Sequence, residues 1–501
     1  MRQLKVAGVR FEAAQSYLGD FPGRQETNDD EATYGDFRGN FSKTLEHNQL
    51  GEVKPASYRS LLRALRRNRQ SDYEAIRLDQ TVRTRKLANP QGAYKIMMSG
   101  LDGQATRLRP APAFASAETA AEMGEVYAKA LLREVPFTDF GSNADIAWAV
   151  NALNAFSETV GPKQGGVVTP ATVFRGETPG DLVGPYISQF LLRDIPYGPG
   201  VIEQRYVVPT AGVDFMTDYD NWLAVQRGGV PEALFKADPR YIYNGRALGE
   251  YVHVDVLFQA YFNAGLILLG LGAGVDTNNP YTTSTTQGGF VTFGGPDILD
   301  LLTKGATLSL TGAWYQKWLA HRRLRPEAYG GRLHNQIVGA KNYGLPAEIE
   351  GSDLVHEAFS RHGGYLLPMA YAEGSPTHPA YPAGHATVAG ACATVLKAVF
   401  DEDFVLTENV QANANGTALI PYYDELTVGG EINKLANNVA LGRDWAGVHY
   451  RSDGVDGLLV GEQQAIGMLQ DFSRTYNEDF DGFQLTTFEG RPIRIKDGGV
   501  S

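Results

Sequence analysis

Residues 386–400, ATVAGACATVLKAVF, are almost wholly small and apolar. A helix that is apolar on every side has no face for water, so this segment reads as a helix buried among others. Pro379 and Pro382 keep the approach extended or turned, because proline fixes its own φ and biases the residue before it away from the helix. Gly384 and His385 therefore fall at the N-terminus of a buried helix. Backbone N–H groups lack partners there and the helix dipole is positive, which favours an anion. Glycine lets an ion approach the backbone closely. An ordinary turn entering a core helix would use the same letters, so this segment must be weighed with two others.

Lys317 to Pro326 reads KWLAHRRLRP. Lys317, His321 and Arg325 follow at i+4 spacing and should ascend one side of a helix that Pro326 ends. HRRLR could be a solvated basic face. Its neighbours Ala313, Trp314, Trp318 and Leu319 instead suggest a largely buried helix, on which cations need an anion or a carboxylate. Arg443 to Asp453 reads RDWAGVHYRSD, with helical periodicity before and after it. Arg443 should end one helix and His449 should lie in the connection to the next. Asp453 is placed to accept the second ring N–H of His449, the usual way of fixing a histidine tautomer. Together the three segments supply a lysine, two arginines, a glycine backbone and two histidines, the groups that a phosphate-like oxyanion requires.

The net charge of −12 argues against nucleic acid and anionic membranes as partners, so a cationic pocket here is a local construction. The longest apolar run, near Ala264–Leu271, is far too short to span a bilayer. MRQLKVAGVRFEAAQ has no apolar h-region, so the chain as given carries no secretory signal, and its location stays open. The single cysteine, Cys392, falls in the apolar helix and reads as a small core residue.

Residues 1–105 are polar and read as an N-terminal arm or subdomain with one helix, YRSLLRALRR; residues 106–501 read as a helical-bundle domain. Helices are expected over 250–272, 299–325, 385–400, 430–443 and 453–471, and loops with short strands over 165–245. The fold class is mainly α, a bundle with long connections and a few short strands. His253 is expected to be a packed, hydrogen-bonded histidine, and Asp255 a carboxylate near the cations. His47, His334, His356 and His362 sit in polar surroundings and are expected at the surface.

The three segments resemble the signature of the vanadium-dependent haloperoxidases and of the acid phosphatases that share their site: Lys…Arg-Pro, then Ser-Gly-His, then Arg with five residues before His. YVHVDVLFQAYFNAGLILL, LLPMAYAEGSPTHP and NVALGRDWAGVHYRSDGVDGLLVGEQQAIG are similar to stretches of the algal bromoperoxidases, and the likeness runs from about residue 40 to the C-terminus. It implies vanadate(V) as cofactor, with His449 bonded to vanadium. Lys317, Arg325, Arg443 and the Gly384 backbone would hydrogen-bond the vanadate oxygens. His385 would be the acid–base group, and His378 matches the second active-site histidine of the bromoperoxidases. Trp314 resembles the brown-algal enzymes, where the red-algal ones carry arginine. The implied small molecules are hydrogen peroxide, halide and an organic acceptor, with phosphate as a competitor and Lys317 polarising the peroxide. A homo-oligomer, up to a dodecamer, is also implied. The stretch NNPYTTSTTQGGFVTF lacks the carboxylates of the red-algal calcium loop, so no calcium is expected.

Ala383 departs from the pattern, standing where the family has serine. The lost hydroxyl is a charge-assisted donor worth roughly 1.5–3 kcal/mol, so vanadate affinity is expected to fall by about tenfold to a hundredfold. Two other readings stay open: a phosphatase with His449 as nucleophile and His385 protonating the leaving group, and a non-catalytic homologue weakened by Ala383.

Overall fold

The computed structural model describes residues 2–18, 25–83, 85–235 and 238–501. Ten helices carry the argument: α1 (Arg2–Ser16), α2 (Pro55–Arg67), α3 (Ala117–Leu131), α4 (Gly245–Tyr251), α5 (Gln259–Leu271), α6 (Gly295–Tyr315), α7 (Pro326–Ile337), α8 (Gly384–Val399), α9 (Val428–Trp445) and α10 (Arg451–Ser473). Strands are short. They include a hairpin of Ile195–Tyr197 with Gly200–Ile202 and an antiparallel trio formed by Phe483–Thr486, Pro492–Lys496 and Gly499–Val500. The mainly α expectation matches this architecture.

Helix α8 is the axis of the bundle, with α6, α9 and α10 packed against it. Glycine sets how closely α10 can approach. A Cβ on Gly390 would meet the Leu458 carbonyl oxygen at 2.1 Å, and one on Gly461 would meet the Thr387 carbonyl oxygen at 2.0 Å. Any side chain there would force the two helices apart, and with them the start of α8 from the start of α10. Local chemistry sets the helix starts. Ser116 caps α3 by accepting the Thr119 N–H at 3.1 Å, Asn244 caps α4, and Thr427 caps α9.

Two expected helices are interrupted. The segment 250–272 is not one helix, because α4 ends at Tyr251 and α5 begins at Gln259. The break carries His253 and Asp255, whose polar side chains find partners from irregular backbone. The segment 299–325 also fails to run through. After α6 the chain makes a π-helical turn, Gln316–His321, and Arg322 closes it with left-handed backbone at φ 42°. Lys317, His321 and Arg325 therefore do not ascend one helix side. Pro326 starts α7 rather than ending a helix, with Arg325 as its N-cap; proline suits the first helical position because its missing N–H would be unpaired there anyway.

Residues from the first hundred form a small second core together with the π turn. Phe37, Phe41, Leu45, Tyr58, Leu61 and Leu65 cluster with Trp318 of the π turn. A wider turn thus sends Trp318 toward the N-terminal segment while Lys317 faces the bundle. The N-terminal region also has the unexpected helix α1. His47, expected at the surface, is buried, with one ring nitrogen 2.7 Å from the Leu45 carbonyl oxygen and the other 3.1 Å from Ser42 Oγ. Its polar sequence neighbours fold over it, which a linear reading could not reveal. His356 is exposed, and His334 and His362 are half-buried.

Candidate active site

The site is assembled where five chain segments meet: the π turn and its exit into α7, the break between α4 and α5, the loop entering α8, the end of α9, and the loop into α10. Lys317, Arg325, Arg443 and His449 are all buried, each at most 3% exposed. Lys317 Nζ donates to the carbonyl oxygens of Pro379 (2.9 Å) and Ala380 (2.7 Å), which leaves one of its three protons free. Arg325 donates to the His378 carbonyl oxygen from Nε (3.0 Å) and Nη2 (2.9 Å), and to the Val448 carbonyl oxygen from Nη1 (2.8 Å). Arg443 Nη1 donates to the Val252 carbonyl oxygen and, at 3.3 Å, to the Tyr371 hydroxyl, while its buried Nε has no partner among the described residues.

No carboxylate pairs with any of these three cations among the described residues. Burial presses the Lys317 ammonium well below its ordinary range and pushes Arg325 down to about 9, with Arg443 adding repulsion to both. Three buried positive charges, solvated only by neutral groups, make a strong attraction for an anion.

The start of α8 adds neutral donors. Ala383, its N-cap, makes no side-chain cap hydrogen bond. The backbone N–H groups of Gly384, His385 and Ala386 have no protein acceptor among the described residues. A Cβ on Gly384 would fill the space bounded by Leu310 Cδ1 (3.4 Å), Trp314 Cζ3 (3.5 Å) and Lys317 Cε (4.0 Å).

His449 has its tautomer written by its partners. Nδ1 lies 2.8 Å from Asp453 Oδ2, so it carries the proton. Nε2 lies 2.8 Å from Arg325 Nη1, which can only donate, so Nε2 presents its lone pair. Burial, with Arg325, Lys317 and Arg443 beside it, holds the imidazole neutral by pushing its pKa well below the ordinary value. Asp453 is in turn held by Arg323, whose Nη1 donates to Oδ1 at 2.8 Å while Nη2 reaches Glu122 at 2.8 Å. The Arg323 guanidinium lies over the Tyr450 ring at 3.9 Å.

His385 Nε2 donates to Asp255 Oδ1 at 2.8 Å, and its Nδ1 has no partner among the described residues. Burial lowers the His385 pKa despite the carboxylate beside it. Burial alone would raise Asp255, but His385 and Arg443 carry it below the usual carboxylate range. His378 Nδ1 lies 3.0 Å from Arg325 Nη2, and its ring stands 4.8 Å from the Trp314 ring. Trp314 is tethered through its indole N–H to the Asn89 carbonyl oxygen at 3.1 Å.

Of the residues singled out in the three sequence segments, Lys317, Arg325, His378, Gly384, His385, Arg443, His449 and Asp453 lie together, with Trp314 beside His378; Trp318 packs in the N-terminal core and His321 against Tyr381. Sequence reasoning missed Arg323 and Glu122, which grip Asp453, and Tyr371 and the Val252 carbonyl, which grip Arg443. A signal for the acid existed: Glu122 and Glu125 sit in AETAAEMGEVYAKAL, whose other residues are mostly small and apolar, and both are buried.

Residues 310–478 match the VCPO second helical-bundle domain. The chain is 34% identical to the vanadium-dependent bromoperoxidase of Corallina pilulifera, over 93% of this chain and 92% of that protein. Its identity to the Corallina officinalis bromoperoxidase is 37%, over 81% and 79% of the two chains. The solved homohexameric structure of the second vanadate-dependent bromoperoxidase from Ascophyllum nodosum superposes with a TM-score of 0.94, at 34% identity, covering 99% of this chain and 90% of that one. The chain belongs to the vanadium-dependent bromoperoxidase family.

Proposed function

We propose that this chain is a vanadate-dependent haloperoxidase. It oxidises bromide and iodide with hydrogen peroxide to hypohalous acid, which then halogenates organic acceptors. One observation carries the reading: three buried cations, bonded among the described residues only to neutral groups, surround an uncapped helix start and an imidazole nitrogen whose lone pair faces the Arg325 guanidinium. A tetrahedral oxyanion such as vanadate fits that donor set, since it offers acceptors to every cation and N–H, and its metal suits a neutral imidazole.

Lys317, Arg325, Arg443 and the Gly384 backbone would hold the vanadate oxygens, and His449 Nε2 would be the vanadium ligand. Bound vanadate supplies a V(V) Lewis acid that activates peroxide without changing its own oxidation state. The residues do the rest. Asp453, gripped by Arg323, keeps the His449 proton on Nδ1. Arg325 must surrender its hydrogen bond to Nε2 for a ligand to bind there, and its Nη1 then becomes a donor to the oxyanion. Bromide oxidation by peroxide consumes a proton and releases water. His385, neutral near pH 7 and steered by Asp255, can take and return that proton at Nδ1. The third Lys317 proton is free to polarise peroxide. His378 stands next to Trp314 as a second hydrogen-bonding ring, and Ala383 contributes no hydroxyl.

We read residues 1–105 as an arm and 106–501 as the catalytic domain, the arm docking through the cluster that Phe41 and Tyr58 form with Trp318. Association into a homo-oligomer goes with the family; a hexamer and a dodecamer are separable by light scattering after gel filtration. Among the described residues no helix is long and apolar enough to cross a membrane. The activity is tested by bromination of a phenol-red-type indicator with peroxide, with and without added vanadate, beside phosphate-ester hydrolysis by the apo protein. Vanadate-dependent bromination is expected. Hydrolysis without bromination would favour the phosphatase chemistry instead.

A further inference from the structure

The break between α4 and α5 does more than interrupt a helix. With the last turn of α4 it supplies, within seven residues, the Gly249 carbonyl to the Tyr371 hydroxyl, the Val252 carbonyl to Arg443, and the Asp255 carboxylate to His385. Irregular backbone does not hold such positions unaided. His253, in the middle of this segment, is fixed from three sides. Its Nδ1 lies 3.2 Å from Glu250, its Nε2 lies 2.7 Å from Glu373, and its ring stacks on Tyr371 with centroids 3.7 Å apart and planes at 9°. Two carboxylates and an aromatic face favour the imidazolium. Although burial opposes the charge, the ring is raised to about 9 and is charged at neutral pH.

Tyr371 and Glu373 belong to the other chain segment, the one leading to His378 and α8. Glu373 is anchored independently through its backbone, because its carbonyl oxygen accepts from Lys43 Nζ at 2.7 Å, while against the pull of burial His253 itself holds the carboxylate down to about 2. The Arg443 guanidinium lies 5.4 Å from the Tyr371 ring centroid. We infer that His253 is a positioning residue for Arg443: its doubly hydrogen-bonded ring clasps the 249–255 segment to Tyr371–Glu373, so that the Val252 carbonyl and the Tyr371 hydroxyl hold the guanidinium in the pocket. The inference rests on the oxyanion-pocket reading of Arg443. His253 itself touches no group proposed to hold vanadate. It acts only through these partners, and a donor displaced by even an ångström loses most of its value.

The test is an equilibrium titration of apo protein with vanadate, made on wild type, His253→Gln, Arg443→Ala and the double variant, with thermal unfolding to establish that each is folded. His253→Gln should weaken vanadate binding by about tenfold, the loss of one well-placed charge-assisted hydrogen bond. In the Arg443→Ala background the same change should have no further effect beyond about twofold, because residues acting through one group are not additive. Glu373→Gln, which keeps the ring and removes one of its anchors, should show the same dependence on Arg443 and stands in if His253→Gln does not fold. Equal binding by His253→Gln and wild type, or equal weakening with and without Arg443, would overturn the clasp while leaving the pocket intact. Failure of the wild type to bind vanadate would overturn the pocket and the clasp with it.

Discussion

Arg323 and Arg325 are separated by one residue and are equally buried, yet their surroundings are opposite. Arg323 meets two carboxylates, Asp453 and Glu122, each at 2.8 Å, and these hold its pKa above the ordinary arginine range against the opposing pull of burial. Arg325 meets only carbonyls and imidazole nitrogens. The same contrast extends through the bundle. Lys129 pairs with Glu125 and Asp444, Arg451 with Glu125, and Arg133 with Asp214. Lys317, Arg325 and Arg443 have no such partner among the described residues. Burial of a cation therefore says little about function here. Arg332 and Lys397 are also buried with carbonyl partners and no ion pair among the described residues, but each stands alone. What marks the pocket is three such cations gathered at one helix start, where an oxyanion can supply the solvation they lack.

The largest effect is expected at the histidine the paired set serves. His449→Ala should abolish vanadate-dependent bromination, since it removes the only proposed bond to the metal; wild-type rates in that variant would refute its assignment. The two arginines should then part company. Arg323→Met leaves Asp453 and Glu122 buried without their cation and should cost about 3–5 kcal/mol in unfolding free energy. Arg325→Met removes an unpaired charge, so the apo protein should be unchanged in stability or gain up to about 1–4 kcal/mol, while vanadate affinity falls by roughly tenfold to a hundredfold. Denaturant unfolding of both variants decides the matter, and similar destabilisation by the two would erase the distinction drawn between them.

His253 offers a smaller effect with a definite pH dependence. Its folded-state pKa is raised to about 9 from an ordinary 6.5: burial opposes the charge, and Glu250 and Glu373, which face the ring, outweigh it. The stability it contributes is fully present below pH 6.5 and is lost as pH rises through about 9. Compared with wild type, His253→Gln should be less stable by about 2–3 kcal/mol at pH 6. The gap should narrow steadily toward pH 9 and above. A constant difference across that range would mean that the charge of the ring is not what matters. The smallest effect is expected at the helix start. Ala383→Ser restores a hydroxyl beside the unpartnered N–H groups of α8 and should tighten vanadate binding by about tenfold, roughly 1.4 kcal/mol. Peak bromination should change less, because a donor that serves ground and transition states alike alters mainly binding. Equal or weaker vanadate binding would mean that the pocket is built differently around Ala383.

Much of this was legible in the sequence where the signal was local. The composition of residues 386–400 announced a buried helix, and Pro379, Pro382 and Gly384 announced its entry. The spacing from His449 to Asp453 anticipated their hydrogen bond, since a connection entering a helix brings the two side chains together. What escaped was set by distant partners. Nothing near HRRLR says that Arg322 turns to Glu31, Arg323 to Asp453 and Glu122, and Arg325 to the His378 and Val448 carbonyls. The π turn that separates them leaves no periodic mark, because one extra residue in a helix keeps the same letters. The break at 252–258 did leave a local mark, since Val252, Val254 and Val256 alternate with His253 and Asp255 at the period of extended chain; the apolar run of α5 that follows masked it, while the backbone leaves the helix to meet Arg443 and His385.

The most direct test of the central claim is competition at the pocket itself. Apo protein is titrated with vanadate at several fixed concentrations of phosphate, with binding followed by calorimetry. If Lys317, Arg325 and Arg443 form one oxyanion site, the apparent vanadate affinity should fall in proportion to phosphate, with a stoichiometry of one and no loss of capacity, and Arg325→Met should weaken both ligands together. Vanadate binding indifferent to phosphate, or unaffected by Arg325→Met, would contradict the account.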